Sequence, residues 1–241
     1  MKLPDHEPDG TITQRFKEFV KHEGFPCVGA KAALSRGSMR MLVARDISSG
    51  WDDLAIYPAL LDLAGGYRAN PALFQTLVVL FEESGTLDEQ AFEGALWQRI
   101  QSLSDKDVWL GQQPDPRVSA DPDDPHFSLS FAGEAFFVVG LHPAASRPAR
   151  RFEVPAMVFN LHDQFEQLRA QGRYEKLRDS IIERDVKLAG SVNPMLARHG
   201  SISEARQYSG RAVEEGWRCP FAGRRDFGNA GADAGADAGA A

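Results

Sequence analysis

The segment Glu134–Leu141 constrains the fold most, because its run from Ala135 to Leu141 is continuously apolar and suits a buried strand. Nearby segments support a sheet around it. Phe127, Leu129 and Phe131 alternate with polar residues, and Ala156–Phe159 reads as a further short strand. Met39–Ala44 supplies another strand far upstream. These strands lie among helical segments without a regular βαβ rhythm. The expected class is therefore α+β, a single domain with a mixed or antiparallel sheet flanked by helices.

Helical spacing accounts for most of the remainder. Thr13–His22 carries Phe16, Phe19 and Val20 on one face, and Gly24 ends it. Phe25-Pro26-Cys27-Val28-Gly29-Ala30 then reads as an apolar turn. Leu60, Leu61 and Leu63 share a helix. Pro71 is expected to open a second helix holding Phe74, Leu77, Val78 and Phe81. Thr86 or Asp88 caps a third, with Phe92, Leu96 and Ile100 inside. Gln112–His126, with four prolines among aspartates, is a loop. Asn160 is expected to cap a helix through Leu161, Phe165 and Leu168, with Asp163 approximating a capping box. A last helix from about Tyr174 carries Leu177, Ile181 and Leu188. Beyond Phe221 the chain turns to Gly, Ala and Asp. The sequence thus predicts a domain over 1–221 and a disordered tail over 222–241.

Composition narrows the function classes. A formal charge of -7 argues against general nucleic-acid binding, and no stretch is apolar enough for a membrane helix. The acidic, proline-bearing Met1–Gly10 does not read as a signal peptide. With two cysteines nearly the whole chain apart, a reducing cytoplasm is the simpler expectation. No Walker-type glycine loop, Gly-x-Ser-x-Gly elbow or His-Glu-x-x-His helix occurs, and the cysteines lack zinc-ligand spacing.

Chemistry-bearing residues gather between His142 and Phe221. His142 leaves the most apolar strand in Gly140-Leu141-His142-Pro143, where an imidazole can ligate iron, act as a base or simply brace a turn. Arg147, Arg150 and Arg151 put three guanidinium groups within five residues, suited to an anion or to a solvated turn. His162, Glu166 and Arg169 form one polar helical stripe, the usual look of an exposed face. Arg184-Asp185 fits an ion pair, and His199-Gly200 marks a turn. Cys219 in Trp217-Arg218-Cys219-Pro220-Phe221 offers either a thiolate or core packing.

Several of these words, in this order, resemble the YqcI/YcgG family. They are Phe25 to Lys31, Gly140 to Pro143 with Ser146-Arg147 and Ala149 to Phe152, and Val158 to Asn160 through Gln164 to Glu166. Arg184-Asp185, Asn193-Pro194, Gln207 to Gly210 and Trp217 to Phe221 complete the pattern, which is densest after residue 135. Characterised relatives are haem proteins that hydroxylate guanidino nitrogens, among them the arginine N-hydroxylase of D-cycloserine biosynthesis and the N-hydroxylase of guanitoxin biosynthesis. The resemblance implies haem b, dioxygen, an external reductase and a small guanidino or amine substrate. On that reading His142 is the expected iron ligand, with His162, His199 and Cys219 as competitors in that order. Arg147, Arg150 and Arg151 would hold the propionates, and Phe136, Phe137 and Phe159 would line the cleft. Glu166, Asp185 and Glu204 are the carboxylates that would meet a substrate guanidinium. A haem-binding sensor or carrier without turnover is the alternative; a haem-free enzyme with Cys219 as nucleophile is a third reading.

Overall fold

The computed structural model describes residues 11–196 and 200–224. Five strands form one mixed sheet: β1 (Met39–Ala44), β2 (Thr76–Phe81), β3 (Leu129–Phe131), β4 (Glu134–Leu141) and β5 (Ala156–Leu161). Their spatial order is β1-β2-β5-β4-β3, parallel only between β1 and β2. The expected α+β class with a mixed sheet is the architecture found.

Helices cover both faces, and side-chain alternation decides what each face holds. Leu77 and Val79 of β2, Phe136 and Val138 of β4, and Met157 and Phe159 of β5 point to one side. There they pack on α3 (Asp53–Ala69) and α4 (Glu89–Trp109). Val78 and Leu80, Val139 and Leu141, and Ala156 and Val158 point to the other. On that side lie α1 (Ile12–Lys21), α2 (Val28–Ser35), α5 (Asp163–Ala170) and α6 (Tyr174–Ala189). The short α7 (Ala205–Tyr208) buries Tyr208 against the α4 side.

Local signals explain several boundaries. Ile12, Phe16 and Val20 recur every four residues, so α1 buries one stripe. The Asp88 carboxylate accepts from Ala91 N at 2.7 Å and starts α4. Gly190, at φ 74°, ends α6 in the left-handed conformation. At Gly140 the α4 side chains pack directly on β4; a Cβ there would lie 2.7 Å from Leu96 and Phe92.

Three expectations are corrected. The segment read as a helix carrying Phe74, Leu77, Val78 and Phe81 contains the central strand β2, buried at all six positions. An all-apolar run satisfies helical and extended spacing alike, and its β-branched valines between covered faces favour the strand. Asn160 does not cap a helix. It pairs with Phe137 inside the sheet, and α5 starts at Asp163. Cys27 does not sit in a mere turn but caps α2.

Candidate functional site

A cavity of about 290 Å³ lies between the sheet and the helices of the α1 side. Val78, Val139 and Val158 form its floor, and Phe16, Phe165 and Ile181 close it from the helices. Alternation along β4 also decides a sequence expectation. Because Val139 and Leu141 face the cavity, His142 has the opposite parity and turns to the α4 side. Its ring stacks on Phe92 with centroids 4.4 Å apart and is 1% exposed.

The Cys27 thiol lies on the cavity wall at the start of α2, where Sγ accepts the Ala30 N–H at 3.4 Å. Burial pushes this thiol up, while the N–H groups of Ala30 and Gly29 and the charge of Arg150 pull the other way. Small side chains flank it, for Gly29, Ala30 and Ala33 face the same space. This residue was missed as a functional candidate in the sequence. The available signal was a cysteine in N-cap position ahead of small residues at helical spacing.

Two of the three clustered arginines border the cavity. Arg147 pairs with Asp185 and donates to the Ser191 carbonyl at 3.0 Å, yet its buried Nε has no partner among the described residues. Among the described residues Arg150 donates to three carbonyls, those of Gly140, Gln207 and Tyr208. Burial lowers its pKa to about 10, with Asp185 acting against the shift. Arg151 departs from the expectation. It is exposed and braces its own turn through the carbonyls of Ala145 and Ser146.

The other expected residues divide plainly. Asp185 is 8% exposed and belongs to the cavity wall. Glu166 pairs with Arg169 on an exposed face and borders a separate small pocket with His162. Glu204 is buried against His162 at 3.2 Å, away from the cavity. Phe137 lines the cavity, whereas Phe136 and Phe159 face the α4 side, as strand parity requires. Cys219 packs near the α4-side core, where burial pushes its thiol up to about 12. His199 lies outside the described residues. Among the described residues, no histidine lines the cavity.

A family model matches residues 16–222. The chain belongs to the YqcI/YcgG family. No curated protein and no solved structure matches it. The family match spans both sides of the sheet, from α1 and the Cys27 cap through the Trp217–Phe221 segment. Of the YqcI/YcgG words quoted above, Phe25-Pro26-Cys27, Arg147, Ala149-Arg150, Gln164-Phe165, Asp185 and Asn193 converge on the cavity. Gln164 also locks its roof, since its Oε1 accepts the Phe74 N–H at 2.6 Å.

The position of His142 gives it a stability role. Burial lowers its pKa below the ordinary 6.5, against the opposing charge of Glu89. As pH falls, the unfolded chain therefore takes up this proton before the folded one does. The stabilisation is present above about pH 6.5 and is lost as pH falls through the depressed folded value. His142→Phe, which keeps the stack on Phe92, is expected to melt with a weaker acid dependence between about pH 7.5 and 5.5. Equal acid slopes for the two proteins would remove His142 from this account.

Proposed function

We propose that this protein is a haem-dependent N-oxygenase acting on a guanidino compound such as arginine. The reaction consumes one dioxygen, two electrons from an external reductase and two protons, converting an N–H to N–OH and releasing water. Membership of the YqcI/YcgG family supports the reading through the relatives that its sequence words resemble. The observation that carries it is the make-up of one cavity: apolar walls, two arginines at its border and one carboxylate between them.

These residues fit haem by donor chemistry. Haem presents flat apolar faces and two propionates, and it needs a ligand from the protein. Beside the cavity, Arg147 keeps one buried N–H unengaged among the described residues next to its Asp185 pair, and Arg150 donates to carbonyls; both would present guanidinium groups to carboxylates. When bound, haem supplies the activation of dioxygen. The chain supplies the rest. Its valine and phenylalanine walls exclude water, and Arg147 and Arg150 hold the propionates. Asp185 orients the substrate, and it already accepts one guanidinium, that of Arg147. Both cysteines are free thiols, which suits a cytoplasmic setting. No helix among the described residues is long and apolar enough to cross a membrane.

Protein produced with a haem precursor is expected to show a Soret band that shifts on titration with arginine and to form N-hydroxyarginine when reduced in air. Absence of the band would sink the reading; a band without product would favour a sensor or carrier. Asp185→Asn is expected to raise the KM for arginine at least about tenfold, equivalent to about 1.4 kcal/mol, while the haem content stays within error of wild type. An unchanged KM would take substrate orientation away from Asp185.

A further inference from the structure

We infer that Cys27 is the axial ligand of the iron, through a thiolate held at the start of α2. This rests on the haem reading above and replaces the histidine expected from the sequence. The cavity decides the choice of donor. His142 is on the far side of the sheet, His162 is engaged by Glu204, and Cys219 packs near the α4-side core. Cys27 is the one strong soft donor among the described lining residues.

The surroundings of Sγ suit that role in three independent ways. The α2 backbone donates to it through Ala30, as peptide N–H groups do to sulfur ligands whose charge must be stabilised. The wall beside it is built from Gly29, Ala30 and Ala33, which leave room for a flat group against the helix. Cations lie on the same cavity: Arg150 acts electrostatically on Cys27, and Arg147, paired with Asp185 and with a side chain 11% exposed, keeps a buried Nε without a partner among the described residues. A ligand with one metal centre and peripheral carboxylates would engage the thiol and the remaining Nε–H of Arg147 together, while the Asp185 pair stays in place.

Ligation is a simple exchange. The S–H bond breaks, its proton passes to solvent, and an S–Fe bond forms with no change in oxidation state. A thiolate donor also pushes electron density toward the iron, which favours O–O cleavage and therefore oxygenase chemistry over storage.

The test uses the full chain loaded with haem, with the ferrous carbon monoxide complex as readout. An axial thiolate gives a strongly red-shifted Soret band in that complex, and an imidazole does not. Wild type and His199→Ala are expected to show the red-shifted band. Cys27→Ser is expected to lose it, and Cys27→His to bind haem with an imidazole-type spectrum. Alkylation of wild type provides a measurement that does not depend on a variant folding: haem should protect Cys27 from iodoacetamide, and apoprotein should not. Retention of the red-shifted band in Cys27→Ser would overturn the assignment while leaving the haem reading intact. So would an imidazole-type wild-type spectrum that His199→Ala abolishes, or alkylation of Cys27 at the same rate with and without haem. Failure of wild type to bind haem at all would instead sink the reading on which the assignment stands.

Discussion

Asp53→Asn is expected to destabilise the protein by about 3–5 kcal/mol, because it strands a buried guanidinium. Arg99 and Asp53 are 3% and 1% exposed, and their side chains pair between α3 and α4. Arg99 also donates to the Ile47 carbonyl at 3.1 Å, so it is fixed between the β1–α3 connection and α4. An arginine cannot shed its proton to escape burial, as a lysine can. Ser102 and Lys106 complete the cluster, donating to the second carboxylate oxygen at 2.6 and 2.8 Å. Lys106 is partly exposed and can return to water when Asp53 is neutral; Arg99 cannot. The double variant Asp53→Leu/Arg99→Met is expected to recover most of the loss, since an apolar pair of similar volume needs no counter-charge. Chemical denaturation of the two singles and the double measures this coupling. An Asp53→Asn loss below about 1 kcal/mol, or a double variant worse than both singles, would refute it.

This cluster also marks the limit of what the sequence made legible. Apolar spacing identified four of the strands, β1, β3, β4 and β5, the helices that bury Phe16, Leu60 and Leu96, and the helix that brings Ile181 to the cavity. Periodicity reports a buried face wherever one face is buried. It fails at β2, where both faces are covered and no alternation survives. Asp53 and Arg99 look like ordinary surface charges in the sequence, 46 residues apart. Only the crossing of α3 and α4 brings them together.

The site was legible in part for the same reason. Arg147, Arg150, Asp185 and Phe137, expected to serve one site, line one cavity, and the clustered arginines and the family's words fall in one stretch of chain. His142 and Phe159 were misplaced by a single step of strand parity, which flips a side chain to the opposite face of the sheet. Cys27 is separated by more than a hundred residues from the charged members of the site. It is brought to them because α1 and α2 cover the same sheet face as α5 and α6.

Cutting the chain after Phe221 is expected to cost about 3–5 kcal/mol relative to a chain ending at Arg224, so the domain extends beyond the boundary expected from composition. The expected tail began at Ala222, where the glycine- and alanine-rich composition sets in. The structure corrects that boundary. Ala222 N donates to Gln101 Oε1 at 2.9 Å, and the Gly223 carbonyl accepts from Gln101 Nε2 at 3.2 Å. Arg224 then enters between α4 and β3. One of its nitrogens donates to Asp107 at 2.7 Å and to the Ser130 carbonyl at 3.1 Å, and the other to the Gln112 carbonyl at 2.7 Å. Asp107 is fully buried, and its other oxygen is occupied by the Tyr57 hydroxyl and the Ala132 N–H. Arg224 is the cation that pairs with Asp107, and its loss leaves the carboxylate with neutral donors among the described residues. Arg224→Gln in the full chain should reproduce most of the truncation's cost, which isolates charge from chain length. Combining either change with Asp107→Asn should shrink it, because a neutral amide no longer needs the guanidinium. Equal melting temperatures for the chains ending at Phe221 and Arg224 would show that the contact contributes nothing. An undiminished cost in the Asp107→Asn background would show that Arg224 acts through packing rather than charge.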